Sequence, residues 1–323
     1  MRNSICGVLI LALAVVTAGC NADKAPQGTG TNGHRPKVGR LVPAGIPEGD
    51  KPAVPSDGAK PAEGKSAARP DPASAAREAV AALKKLGATV KLNDNLQSLK
   101  LSGDEVTDAA MENLAGLTSL KALKLDRTAV GDAGLEKLKP LVNLQELYLT
   151  GTKVTDVGLA HLGALSGLKR LRLSDTQLRG QGLSHLEALA NLEDLDLSNT
   201  LIDDAALAHL KAVPALAKLN LYTTHVTDAG LDHLAGMTQL TWLNLDNTQV
   251  TDAGLAKLKP LVDLEFLHLG RTQITDAGLE NLTGFRKLTK LHLTRTGVTD
   301  QGAEQLRKAL PGCEILSGEP AGD

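Results

Sequence analysis

From Leu96 to Ser317 the apolar residues follow one repeating scheme. Leu96, Leu120, Leu144, Leu168, Leu192, Leu216, Leu240, Leu264 and Leu288 open nine units of 24 residues, with no insertion or deletion between them. In the unit opened by Leu240, Leu243 and Leu245 alternate with Trp242, Asn244 and Asp246, the period of a strand with one face buried. Val250, Leu255, Leu258 and Leu261 follow at near-helical spacing, so a short helix turns its apolar side to the same core. Thr251 and Asp252 stand just before that helix, where a side-chain oxygen can cap free backbone N–H groups and a carboxylate suits the helix dipole. Stacking such units predicts a parallel sheet on one side and an outer layer of short helices. Helices need more room than the ~4.8 Å spacing of strands, so the stack is expected to curve with its sheet on the concave side.

The ends of the stack read differently. Residues 73–95 form an expected N-terminal cap: an amphipathic helix from Ser74 to Gly87 with Val80, Leu83 and Leu86 on one side, then a hairpin of Ala88 to Leu92 and Leu96 to Leu101 joined at Asn93, Asp94 and Asn95. At the far end Ala303 replaces the helical leucine and Ile315 takes the place of Leu291. The repeat domain thus runs over 96–317 and leaves 318–323 as a disordered tail.

The scheme LxxLxLxxTxV/I followed by TDAGLxxLxxL resembles the leucine-rich repeat family, most closely its bacterial exported lipoproteins, and is similar to the repeats of some eukaryotic F-box proteins. The resemblance covers Ser74 to Ser317 and implies an α/β class: a curved leucine-rich-repeat solenoid with a parallel concave sheet and short outer helices. It also implies that the Thr column (Thr128, Thr152, Thr176, Thr200, Thr224, Thr248, Thr272 and Thr296) is a structural ladder bonding to neighbouring turns.

The N-terminal quarter has no such periodicity. Met1-Arg2-Asn3 is a positive start, and Ile5 to Val16 is an apolar run suited to a signal-peptide core but too short to span a bilayer. Small residues then lead to Cys20. Residues 1–20 resemble a bacterial lipoprotein signal in which Cys20 is acylated, although Thr17 stands where an aliphatic residue is usual. The alternative is an ordinary secretory signal cut near Ala18. Either reading exports the chain to the cell envelope, lipid-anchored to a membrane through Cys20 or, in the alternative, secreted or periplasmic and soluble. Residues 21–72 hold nine of the chain's 14 prolines and read as a disordered Pro/Gly/Ala-rich linker.

Composition narrows the function. A length of 323 residues suggests two ordinary domains, but 42 % hydrophobic residues with only 2 % aromatics describe a core built from leucine. A net charge of -2 supplies no basic excess for a phosphate backbone, so nucleic acid is not an expected partner. Cys6, Cys20 and Cys313 make neither a disulfide framework nor a zinc or haem motif.

Candidate chemistry is sparse. The Asp column (Asp108, Asp132, Asp156, Asp204, Asp228, Asp252, Asp276 and Asp300) reads as helix capping, one carboxylate per turn being too dispersed to surround a calcium ion. In the fourth repeat Arg179 and Gly180 break this column, and a looser outer segment is expected there. His161, His185, His209 and His233 form an outer column that could hold a metal, but repeat duplication alone accounts for their register. No nucleophile–base, metalloprotease, P-loop or dinucleotide signature occurs, so no enzyme, metal or cofactor is expected.

The aromatics carry the functional expectation. Outward strand positions are the third, fifth and seventh of each unit, and Tyr148, Tyr222, Trp242 and Phe266 lie there, with only Phe285 at a core position. Trp242 and Phe266 share a column and should touch; Asn244, His268 and His292 line the next one. Exposed aromatics are the anchors that protein interfaces use, whereas the simpler reading is mutual cross-strand stacking. Arg170 against Asp194 and Arg172 against Asp196 should satisfy one another. The expected function is a non-enzymatic interaction module, tethered in the envelope and monomeric, that binds a protein or peptide on its concave face through Tyr148, Tyr222, Trp242, Asn244, Phe266, His268 and His292. The alternatives are a structural spacer without specific ligand, or metal binding by the outer histidines.

Overall fold

A computed structural model describes residues 72–86, 89–93 and 97–318. The signal segment with Cys20, the linker up to residue 71, the hairpin residues Asp94 and Asn95, the first repeat leucine Leu96 and residues 319–323 lie outside the described residues.

Each leucine pair at the second half of a strand sequence points into the stack, and the strands follow accordingly. They are β1 (Thr89–Leu92), β2 (Ser98–Ser102), β3 (Ala122–Lys124), β4 (Glu146–Tyr148), β5 (Arg170–Arg172), β6 (Asp194–Asp196), β7 (Lys218–Asn220), β8 (Trp242–Asn244), β9 (Phe266–His268), β10 (Lys290–Thr294) and β11 (Glu314–Gly318). They form one sheet in chain order. β1 is antiparallel to β2, as the hairpin reading required, and every later pair is parallel. Register is set by the leucines: Leu99 faces Leu123, Leu123 faces Leu147, and so on to Leu291 opposite Ile315. The sheet therefore runs one residue past the expected limit at Ser317, through Gly318.

The core is a column of fully buried leucines. In the unit of Leu240, the side chains of Leu240, Leu243, Leu245, Val250, Leu255, Leu258 and Leu261 are all 0 % exposed. Phe285 fills a core position, as its place in the unit predicts. At the N-terminal edge the helix α1 (Pro72–Lys85) covers the first turn with Ala76, Ala79 and Leu83. Its packed side differs from the expected one, because Leu86 lies past the helix end and is exposed. The outer segments are short, some α-helical, such as Asp252–Leu258, and some 3₁₀, such as Gln181–Ala188 and Asp276–Leu282. The 3₁₀ form is narrower, which suits units stacked at strand spacing.

After each of the strands β2 to β10 the chain turns through one left-handed residue, at Gly103, Arg127, Gly151, Asp175, Asn199, Thr223, Asn247, Arg271 and Arg295. This conformation keeps the corner N–H aimed at the next turn: that of Thr223 donates to the Asp246 carbonyl at 3.0 Å, that of Arg271 to the Thr294 carbonyl at 3.0 Å.

The polar columns divide their work otherwise than the resemblance implied. Each Thr of the Thr column donates its hydroxyl to the carbonyl three residues earlier in its own turn, at 2.5–2.7 Å. The ladder between turns belongs to the Asp column. Asp132, Asp204, Asp228, Asp252 and Asp276 each accept the backbone N–H (2.7–2.9 Å) and hydroxyl (2.6 Å) of the threonine that opens the next outer segment. Those threonines, not the aspartates, are the N-caps: Thr155, Thr227, Thr251, Thr275 and Thr299 accept a backbone N–H from within the segment.

The same contact explains the glycine of the TDAGL motif. A Cβ on Gly230 would sit 2.5 Å from Asp204 Oδ1, and Cβ atoms on Gly254, Gly278 and Gly302 would collide in the same way with Asp228, Asp252 and Asp276. Glycine is required for close approach to the preceding carboxylate. The fourth repeat inverts the pair: Gly180 replaces the aspartate, Ala206 replaces the next glycine, and a Cβ on Gly180 would collide with that of Ala206. With no carboxylate to receive a hydroxyl proton, the next cap is Asp203, which accepts the Ala206 N–H at 3.1 Å. The outer segment expected to be loose is thus an eight-residue 3₁₀ helix, held from the other side by Asp156, which accepts N–H bonds from Arg179, Gly180 and Gly182 at 2.9 Å.

Candidate functional site: the open face of the sheet

Side chains at the third, fifth and seventh positions of each unit stand on the face away from the leucine core. Parallel register places residues 24 apart side by side, so a column of like residues becomes a contact ladder. Trp242 lies opposite Phe266 and their rings stack, with centroids 4.8 Å apart and planes within 7°. His268 lies opposite His292 and these also stack, at 4.2 Å and 15°. Phe266 joins the two pairs, 5.4 Å from the His292 ring and 6.3 Å from that of His268. The rings stack on one another, as the simpler reading expected, and form a contiguous, partly exposed patch across β8, β9 and β10. Asn244 borders it opposite His268, its Oδ1 accepting the Asp246 N–H at 2.9 Å.

An ion pair underlies one side of this cluster. Asp246 is 6 % exposed and receives Arg271, whose Nε is 2.9 Å from Oδ1 and whose Nη2 contacts Oδ2. The guanidinium carbon also lies 5.2 Å from the Tyr222 ring centroid, a cation–π distance. Tyr222 therefore reaches the cluster through Arg271. His268 Nδ1 accepts the Gly270 N–H at 3.2 Å, which requires an unprotonated Nδ1. Burial pushes His268 down to about 4, against the opposing charge of Asp246 and with help from His292 and Arg271. Burial also lowers His292, with Lys290 adding to the effect. At neutral pH both imidazoles are uncharged, and the patch is apolar with polar ring edges.

Tyr148 does not extend the patch. It belongs to a separate network on β3 to β6, where its hydroxyl donates to Glu146 at 3.1 Å and accepts from Arg170 at 3.3 Å. Arg170 bridges Glu146 (2.8 Å) and Asp194 (3.2 Å). Arg172 grips Asp194 with both terminal nitrogens at 2.8 Å and stands 3.9 Å from Asp196. The expected one-to-one pairing is thus a convergence of two arginines on Asp194. Sequence reasoning missed Asp246 and Arg271, whose long reach back across a turn follows from the left-handed corner at Arg271 rather than from column position.

Elsewhere, no group of three or more His, Cys, Asp or Glu side chains placed to hold a metal occurs among the described residues, including the outer histidines. Cys313 is half-buried, and burial pushes its thiol up to about 11. No helix among the described residues is long and apolar enough to cross a membrane.

The repeated unit, the single in-order parallel sheet and the outer short helices define the class. The chain has the fold of a leucine-rich-repeat solenoid, and residues 116–139, 141–163, 263–282 and 286–306 match the family model described as Leucine Rich repeat. Among solved structures it is similar to internalin C2 of Listeria monocytogenes, with 24 % identity, 74 % of this chain and 92 % of that one covered, and a TM-score of 0.52. It is also similar to an internalin (inlF) of the same organism (22 % identity; 66 % and 77 % covered; TM-score 0.39) and to a Leptospira interrogans LRR protein (20 %; 63 % and 62 %; 0.40). No curated protein sequence matches the chain.

Proposed function

We propose that this protein is an interaction module that takes a protein or peptide on the open face of its sheet, with Trp242, Phe266, His268 and His292 as the anchoring patch and Asn244 and Tyr222 at its border. One observation carries the reading. Two of the chain's five aromatics and two of its eight histidines form one continuous, partly exposed ring cluster on the face away from the leucine core. A binding rather than catalytic surface is favoured because the carboxylates there are already held: Glu146 and Asp194 by Arg170, Asp246 by Arg271. In this reading the module is monomeric, and export with acylation at Cys20 tethers it to a membrane of the cell envelope through the 21–72 linker.

The test is site-specific photocrosslinking from position 266 in envelope extract, with position 157 on the outer side as control, since Val157 is 70 % exposed. A partner captured from 266 and not from 157, and bound at least ~2 kcal/mol more weakly by the Trp242→Ala variant with its melting temperature unchanged, is the expected result. Capture from both positions alike, or undiminished binding by Trp242→Ala, would remove the patch from the reading. Anchoring is separate: Cys20→Ser should move the protein from the membrane fraction to the soluble one.

A further inference from the structure

At the N-terminal end of the same face stands a second feature, a line of three lysines. Strand register sets Lys91 opposite Lys100 and Lys100 opposite Lys124, one cation per strand on β1, β2 and β3. Their neighbours in the adjacent column are small, Ser98 and Ala122, which also lie opposite one another. Lys124 Nζ rests 4.5 Å from the Tyr148 ring centroid, and none of the three lysines forms an ion pair among the described residues. The nearby carboxylates are engaged, Glu146 by Arg170 and Asp126 by the Thr150 N–H at 3.2 Å. Like charges in facing cross-strand positions oppose sheet formation. The core does not need them there, because the buried positions of these strands are Leu99, Leu101 and Leu123.

We infer that this lysine line binds an acidic segment of the protein partner, a proposal that rests on the reading of the sheet face as the recognition surface. Charge complementarity names the occupant. The cations run in a single file across strands about 4.8 Å apart, which fits carboxylates along one chain better than the broad plane of a membrane. The stretch between it and the aromatic patch, around Arg170, Arg172 and Asp194, neutralises itself. From β3 to β8 is five strand steps, roughly 24 Å, a span that about eight extended residues cover. The partner then presents acidic side chains at one end and an apolar anchor at the other.

The probe is fluorescein-labelled hexaglutamate, titrated by anisotropy with the full chain at low ionic strength. The Lys100→Gln/Lys124→Gln variant should bind at least tenfold more weakly, while Lys84→Gln/Lys85→Gln, the same charge change on exposed α1 residues, should stay within twofold of the parent. Trp242→Ala should leave hexaglutamate binding unchanged, which keeps this outcome distinct from the fate of the aromatic patch. Absence of binding by the parent chain, or equal loss in both lysine variants, overturns the proposal. So does tighter binding to phosphatidylglycerol-containing vesicles than to hexaglutamate with loss in the Lys100→Gln/Lys124→Gln variant, which would make the line a membrane contact.

Discussion

A carboxylate and the missing side chain of a glycine 26 residues later are two halves of one contact in this stack. Asp228 fits because Gly254 has no Cβ, and Ala206 fits because Gly180 has no side chain. Gly254→Ala should therefore cost about 1–3 kcal/mol through overpacking. Asp228→Gly should also destabilise, by leaving the Thr251 N–H and hydroxyl without their acceptor. The double variant recreates the natural Gly180/Ala206 pair, so a double-mutant cycle from chemical denaturation should show a favourable coupling of at least ~1 kcal/mol. Strict additivity would mean the two sites do not touch. His268 offers a second residue-level test. Its folded pKa of about 4 lies below the ordinary 6.5. Between those values the unfolded chain takes up the proton and the folded chain does not, so this contribution is fully present above pH 6.5 and is lost as pH falls toward 4. The imidazole is partly exposed, which holds the loss to on the order of 1 kcal/mol. Denaturant melts at pH 7 and pH 4.5 should show it in the parent and show less of it in His268→Gln.

At the scale of elements, the sequence discloses what depends on spacing and conceals what depends on reach. Strand positions, parallel register and the Trp242–Phe266 stack are consequences of a 24-residue period in which like residues must become neighbours. The pairing of His268 with His292 follows from the same arithmetic. Spacing does not show which of two adjacent polar residues, Thr251 or Asp252, points within its segment and which points to the next turn, because both bear oxygens suited to capping. Nor does it show that a left-handed corner sends Arg271 back to Asp246 and Tyr222, since arginine is not a residue that announces such a corner. Tyr148 shares the outward position of the other aromatics, yet three intervening strands and the Arg170 network separate it from Trp242 and Phe266. The choice between α and 3₁₀ in the outer segments escapes the leucine pattern, which both helices satisfy.

Across the whole stack, cohesion is uneven. On the outer side the Asp–Thr ladder links successive turns from Asp204 onward, and Asp132 and Asp156 link the earlier ones, but Gly180 leaves no side-chain bond to the turn of Asp203. On the open face the arginines of β5 meet Asp194 of β6 at this same junction. Beside its backbone ladder and leucine core, the joint between the fourth and fifth repeats thus has arginine–aspartate contacts on the open face but lacks the outer hydrogen-bonded carboxylate that its neighbours have. Salt shrinks the Debye length to about 3 Å at 1 M and should loosen this joint selectively. Hydrogen exchange supplies matched reporters: the amide of Leu201 donates to Leu178 across the joint, as Gln249 does to Val226 and Gln273 to Val250 elsewhere. In 1 M salt the exchange of Leu201 should accelerate relative to the other two. A uniform response would mean the stack opens as one unit.

The paired identities across each joint also bear on how such an array can change length. Most turns are interchangeable plugs and sockets: excising residues 240–263 would bring Asp228 against Gly278 and Thr275, the same partners in kind that it meets now. Excising residues 168–191 would instead press Asp156 against Ala206 and set its carboxylate beside that of Asp203. Loss of a single repeat is therefore expected to be tolerable over most of the array and penalised when the fourth unit alone is lost, because Ala206 fits only against a residue without a side chain.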